Sequence, residues 1–317
     1  MTILVTGAGG FIGYHLCQSL LQAGKTVIGI DNLSVVADQP LQKLRVENLK
    51  NYTYFQFYNA DICDLETVRA IMVSSGIHTV IHLAAKTGIK PSQQYPDLYL
   101  QTNIIGFHHL IQLSYNLGIA KFIFASSSSV YGTHAQLPFR EDQPLSPPLN
   151  IYAVTKQTNE AIAHTYALRG KMQIIALRLF TVYGSYYRSD MALSKFAHAL
   201  INQQTVYISE RGSVQRDFTH IGDVCTAIRQ LLTYETSNNF TIFNLGYGQP
   251  IALTAVVNLM GKYLGIKPQI QFQPLDPIEI PVTHADITKL QHAIQFRPQI
   301  AITTGIADFL DWYLSRH

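Results

Sequence analysis

Short apolar runs alternate with amphipathic stretches through the first half of the chain. Ile3-Leu4-Val5 ends in glycines and is followed by residues 11–22, where Phe11, Ile12, His15, Leu16, Ser19 and Leu20 fall at helical spacing. Residues 27–30, 54–58, 79–82, 122–125 and 174–177 each read as a short buried strand. Helices are predicted over 98–117 and 152–168. Nearly continuous apolar strands separated by helical segments predict a parallel sheet covered on both faces. After Phe180 the rhythm loosens, and Pro268, Pro274, Pro277 and Pro281 divide the chain into shorter, mixed segments. The expected organisation is a larger α/β domain over 1–179, joined again by a segment near 217–248, with a smaller mixed α/β lobe over 180–317.

Composition narrows the class. The 317 residues are 47% hydrophobic and 14% charged, which suits a compact enzyme and excludes a disordered or fibrous chain. The net charge of +3 is not gathered into a run of Lys or Arg, so no nucleic-acid surface is expected. A few cations facing a diphosphate would satisfy the same balance. Cys17, Cys63 and Cys225 are scattered, match no metal-ligand spacing and read as reduced thiols. The twelve histidines show no such spacing either, and His108, His109 and His134 read as ordinary helix and loop residues. No leader-like segment and no membrane-length apolar run is present in the sequence, so a cytoplasmic location without membrane partners is expected.

The first chemistry lies in Thr6-Gly7-Ala8-Gly9-Gly10-Phe11-Ile12-Gly13, between the first strand and first helix. Gly7 permits a tight turn, Gly10 lets the backbone approach a pyrophosphate, and Gly13 lets the helix pack closely with its first amides toward the phosphates. Asp31 closes the second strand, followed by Asn32. A carboxylate there accepts bonds from ribose hydroxyls and repels a 2′-phosphate, which favours NAD over NADP. Asp61-Ile62 stands either beside the adenine edge or as the N-cap region of the next helix. Leu83-Ala84-Ala85 keeps bulk away from the cofactor at the end of the fourth strand.

Tyr152 and Lys156 sit four residues apart on one predicted helix face. A phenol is a poor base at neutral pH unless nearby positive charge stabilises its anion. Alone, this pair is ordinary surface chemistry. The strand before it, however, ends in Ser126-Ser127-Ser128-Ser129, hydroxyls placed where open parallel sheets bind ligands. A serine there can bond the same sugar hydroxyl as Tyr152.

These features together resemble the extended short-chain dehydrogenase/reductase family, whose fold is a Rossmann-type doubly wound sheet with a smaller substrate lobe. Within it the chain is similar to the UDP-glucuronate 4-epimerases from end to end. The specific matches are residues 125–132 (ASSSSVYG), 178–184 (RLFTVYG), 188–193 (RSDMAL) and 216–221 (RDFTHI). The resemblance implies NAD retained throughout the cycle, Tyr152 as base, Lys156 as its partner and Ser127 as the assisting hydroxyl. It implies that Asn103 lies near a UDP-sugar, that Arg216 grips the diphosphate, and that Lys90, Met191 and Ala192 face the substrate. It also implies a homodimer through the two central helices.

Dehydratases of this family carry Asp and Glu just after the catalytic hydroxyl. Here Ser128 and Ser129 hold those positions and cannot do that acid–base work, which argues against dehydration. Decarboxylation is the closer rival, because oxidising a uronate at carbon 4 creates a β-keto acid. An epimerase must keep the carboxylate out of the alignment that favours CO₂ loss. Arg188, Thr181, Ser128 and Ser129 are the candidates for that clamp. A UDP-hexose 4-epimerase, a dehydrogenase using free NAD and a non-catalytic dinucleotide-binding scaffold complete the alternatives. Three departures from the family concern the sugar: Lys90 in place of Arg, Ser185-Tyr186-Tyr187-Arg188 in place of a Pro-Trp-Gly-Arg pattern, and the 274–279 run with Asp276.

Overall fold

The computed structural model describes residues 1–34, 38–133, 136–209 and 214–316. His134, read above as a loop residue, lies outside them. Seven parallel strands form the central sheet. They are β1 (Thr2–Thr6), β2 (Thr26–Asp31), β3 (Phe55–Asn59), β4 (Thr79–His82), β5 (Lys121–Ser127), β6 (Gln173–Leu179) and β10 (Phe240–Leu245). Their order across the sheet is β10-β6-β5-β4-β1-β2-β3, the doubly wound arrangement in which the strand order reverses between β1 and β4. The Rossmann-type expectation holds.

Alternation within the strands explains why both faces are covered. Ile3, Val5, Val27, Ile81, Ile123 and Ile175 face one core, packed by α1 (Phe11–Gln22), α9 (Ile221–Leu231) and neighbouring helices. Leu4, Ile28, Val80, Phe122 and Phe124 face the other, packed by α3 (Leu65–Ser74), α6 (Phe107–Asn116) and α7 (Ile151–Ala167). Beyond β6, the three-stranded sheet of β7 (Thr181–Tyr183), β9 (Gln215–His220) and β11 (Pro250–Ala252) and the pair β8 (Val206–Ser209) and β12 (Ile270–Gln273) build the smaller layer. It is mixed, with β7 and β9 parallel and β9 and β11 antiparallel. α2 (Gln39–Lys50) follows β2, while α8 (Ala192–Ile201) and α12 (Ile302–Leu314) lie in the later half.

The single helix predicted over 98–117 is instead three joined pieces. α5 (Pro96–Leu100) leads into a π-helical turn, Gln101–Gly106, and then into α6. The π turn lets Gly106 approach Ile62 closely: a Cβ there would lie 2.8 Å from the isoleucine side chain. Such insertions concentrate at functional sites. Among the described residues, no helix is long and apolar enough to cross a membrane.

Candidate active site

The carboxyl ends of the parallel strands open on one cleft enclosing about 730 Å³. At its floor, the Gly7 amide bonds the Ile30 carbonyl at 2.7 Å and the Gly10 amide bonds the Gly7 carbonyl at 2.9 Å. Gly7 has a φ of 74°, and a Cβ on it would meet the Ala84 amide nitrogen at 2.8 Å. The Thr6 hydroxyl braces this approach, accepting from the Ala84 amide at 3.2 Å and lying 2.7 Å from His82 Nδ1. The first turn of α1 has no side-chain cap, and Phe11, Ile12 and Gly13 line the cleft. Its amides are therefore available to an anion.

Asp31 is buried, and burial raises its pKa while backbone amides oppose the shift. Its carboxylate accepts from the Gly9 amide at 3.0 Å and the Leu33 amide at 2.8 Å, which leaves lone pairs for further donors. Asn32 donates to Asp61 at 2.7 Å, and Asp61 also accepts from the Cys63 amide at 2.8 Å. The N-cap of α3 is Asp64, so Asp61 belongs to the cleft wall and not to the helix cap. Ile62, Leu83, Ala84 and Ala85 line the same wall. These groups fit a dinucleotide: backbone donors for a pyrophosphate, a buried carboxylate for ribose hydroxyls, and small side chains between them.

Farther along, Ser127, Ser128, Ser129, Tyr152 and Lys156 converge on the cleft. Asn150 sets the start of α7, accepting from the Ala153 amide at 2.9 Å. Ser127 and Ser129 hydroxyls lie 3.1 Å apart. Burial raises the Tyr152 pKa, and the Ser127 hydroxyl and the Arg188 charge pull it back. Lys156 is anchored on the strand that precedes its helix. Its ammonium donates to the Ala125 carbonyl at 2.8 Å and stands 5.8 Å from the Tyr152 ring centre. Burial lowers its pKa to about 8, opposed by Glu160.

Glu160 was not singled out from the sequence, although it lies one helical turn past Lys156, a spacing that could have revealed it. It accepts from Ser126 at 2.5 Å and from Arg178 at 3.0 and 2.7 Å. The Arg178 guanidinium also lies 4.7 Å over the Tyr131 ring. The serine strand and α7 are thereby locked together.

The opposite part of the cleft is richer in charge than the sequence suggested. Arg188 forms a bidentate pair with Asp190 at 2.9 and 2.7 Å, and a third nitrogen bonds the Thr87 hydroxyl. Arg216 donates to the Pro281 carbonyl at 3.0 Å and lies 3.8 Å from Glu279. Lys90 is 61% exposed and lies 3.7 Å from Asp276 and 4.0 Å from Glu279. Thr181 and Met191 also line the cleft.

Two expected substrate residues are not in its lining. Asn103 is buried in the π turn. Its carbonyl accepts from the Lys86 amide at 2.8 Å, while its amide donates to the Lys86 carbonyl at 3.0 Å and the Thr155 hydroxyl at 3.1 Å. It therefore holds the 83–88 turn against α7 from behind. Ala192 opens α8 as an exposed residue, while its neighbours Met191 and Lys195 reach the cleft.

The family model of the NAD dependent epimerase/dehydratase family matches residues 3–246. The UDP-glucuronate 4-epimerase of Thermodesulfobacterium geofontis is 34% identical over 98% of this chain and 95% of its own length. The structure of a UDP-glucuronic acid 4-epimerase from Bacillus cereus, in complex with UDP-glucuronic acid and NAD, superposes with a TM-score of 0.93 at 31% identity, covering 100% of both chains. A UDP-glucose 4-epimerase from Thermotoga maritima, with UDP-glucose, superposes at 0.90 with 27% identity over 100% of this chain and 99% of that one. The glycine loop, the serine strand and the Tyr152 helix thus sit in a fold shared along the whole chain, and the chain belongs to the NAD dependent epimerase/dehydratase family.

Proposed function

We propose that this chain interconverts UDP-glucuronate and UDP-galacturonate by NAD-dependent 4-epimerisation through a transient 4-keto sugar. NAD, when bound, supplies the acceptor and then the donor of the hydride at carbon 4. Gly7, Gly10, Phe11, Ile12 and Gly13 would hold its pyrophosphate end. Asp31 and Asn32 would take the adenosine ribose, and Asp61, Ile62 and the 83–85 turn would border the adenine and nicotinamide path. Tyr152 accepts the hydroxyl proton from one face and returns it after the sugar turns over, with Ser127 bonding the same oxygen. Lys156 acts from behind, through its charge and its grip on the Ala125 carbonyl.

The observation that carries this reading is the convergence of Tyr152 and Ser127 on a cleft whose next two wall residues are serines. Such a wall can move the carbon-4 hydroxyl proton while NAD, when bound, takes the hydride, and Ser128 and Ser129 lack the carboxyl groups that would drive elimination. Ser128, Ser129 and Thr181 offer neutral hydrogen bonds to a uronate carboxylate. Three of the five Arg188 N–H groups are committed to Asp190 and Thr87, leaving two for the substrate. Arg216 and Lys90 would meet the diphosphate.

The Arg188–Asp190 pair also supports a second reading, a UDP-hexose 4-epimerase, because a neutralised arginine attracts a uronate less strongly. Incubation with UDP-glucuronate and separately with UDP-glucose, resolved by NMR, separates the two. UDP-galacturonate without NADH accumulation supports the first; a UDP-pentose product identifies decarboxylation. Tyr152→Phe should lower turnover by about 10²–10⁴-fold while NAD binding persists. Undiminished turnover would refute the role of the phenol.

The same reading makes the protein a cytoplasmic homodimer. Its three cysteines are free, and Leu98, Leu100 and Ile105 are exposed on the segment leading into α6. Light scattering on the purified protein tests the dimer.

A further inference from the structure

The 185–188 segment carries Arg188 into the cleft from the later half of the sequence, yet the backbone of that segment is held by the cofactor half. His15 on α1 bonds the Ser185 carbonyl at 2.8 Å. Arg45 on α2 donates to the Tyr186 carbonyl at 2.5 Å, across a sequence separation of 141 residues. The same guanidinium donates to the Gly9 carbonyl of the phosphate loop at 3.1 Å and to the Asp38 carboxylate at 2.8 Å.

Arg45 is 0% exposed, and burying a guanidinium is costly unless it is paired and hydrogen-bonded. A simple ion pair with Asp38 would not require two carbonyls from distant segments. Tyr186 itself has a φ of 55°, a left-handed conformation rarely adopted by a bulky residue. Its ring packs against Tyr14 at 4.8 Å and Trp312 at 5.4 Å. The surroundings therefore impose this turn, and Arg45 is the contact that joins it to the loop expected to receive a pyrophosphate.

We propose that Arg45 is a positioning residue that couples the two ligand ends of the cleft. By fixing the spacing between the Gly9 carbonyl and the Tyr186 turn, it lets occupancy of the phosphate loop preset Arg188 for the sugar nucleotide. Linkage makes the effect reciprocal, so the sugar nucleotide tightens the dinucleotide by the same factor. A lysine cannot reproduce it, because a compact ammonium cannot span three acceptors held in different directions as a planar fork does. The inference rests on the reading of the cleft as an NAD and UDP-sugar site.

The test uses the full chain carrying Tyr152→Phe, which slows turnover by about 10²–10⁴-fold, after removal of any bound NAD. NAD is titrated with and without saturating UDP-glucuronate, in this parent and with Arg45→Lys added. UDP-glucuronate should tighten NAD by about fivefold or more in the parent and by less than about twofold with Arg45→Lys. In the protein with Arg45 intact, NAD alone should also slow hydrogen exchange at the 186–188 amides, a readout independent of how well the variant folds. Equal coupling in both proteins, with only a lower melting temperature for Arg45→Lys, would overturn the proposal and leave Arg45 a structural clip. Independent binding of the two ligands by the parent, or unchanged exchange at 186–188, would also overturn it without disturbing the site assignment. If neither ligand binds the parent, the cleft reading itself fails, and the coupling with it.

Discussion

Replacing Gly13 by alanine isolates the physical demand of the phosphate loop. A Cβ at this position would stand 2.0 Å from the Gly7 carbonyl oxygen, 2.7 Å from its carbon and 3.1 Å from the Ala8 Cα. Ordinary contact begins at 3.4 Å, so the start of α1 and the loop must separate by more than an ångström. Neither side yields freely. Gly7 is fixed through its amide to Ile30 at 2.7 Å, and its carbonyl accepts from Gly10 at 2.9 Å. Overpacking costs about 1–3 kcal/mol, and a broken backbone bond adds about 1 kcal/mol. The expected loss is therefore on the order of 2–4 kcal/mol in denaturant unfolding. Cofactor use should suffer more, since a misplacement of about 1 Å can lower turnover some 10²-fold. Gly10→Ala is the internal control for stability alone, because its nearest obstacle is 3.0 Å away and the next 3.9 Å. It should cost less than about 1 kcal/mol of stability. Urea melts of both variants and NAD titration of Gly13→Ala decide the matter. Gly13→Ala with native stability and NAD affinity would refute the close-packing argument.

Glu160→Gln should destabilise the protein by about 3–5 kcal/mol, since it breaks a buried pair whose side chains are 3% and 7% exposed. The same change removes the charge that supports the Lys156 ammonium, so any alkaline activity limb set by Lys156 should move to lower pH; an unmoved pH–rate profile would contradict this. His15 is held neutral by burial, with its pKa lowered to about 4. As pH falls from about 6.5 toward 4, the unfolded chain gains this proton first, so stability drops by up to roughly 3 kcal/mol. His15→Gln should flatten that part of the stability profile, and an equally steep decline in the variant would rule it out. Arg188→Ala should either release a UDP-pentose or lose uronate turnover; unchanged products and kinetics would exclude it as the carboxylate clamp.

Much of the cofactor end was legible in the sequence because its constraints act over a few adjacent residues. Gly7 and Gly13 answer to steric limits within one turn, and Asp31 is fixed by the strand that ends in it. Tyr152 and the serine strand were legible for the same reason. What escaped was direction. Asn103 lies in a π turn, which the 3.6-residue period does not describe, and the turn aims its amide at Lys86 and Thr155. Lys156 was placed on the same face as Tyr152, but the Ala125 carbonyl that captures it comes from β5, 31 residues earlier. Glu279 and Arg45 were missed because a charged contact across tens of residues leaves no local spacing. Asp190, two residues after Arg188, was the nearest to being found.

The uniform direction of the seven strands has an evolutionary consequence. Every strand delivers its following loop to the same rim, so the loops that meet the sugar can be exchanged without altering a residue of the sheet. Drift in 274–281, which lies outside that sheet, can explore new sugars while the redox apparatus stays intact. A lineage built on this chassis can diversify its substrates by rewriting short stretches outside the sheet, with the interior left as inherited.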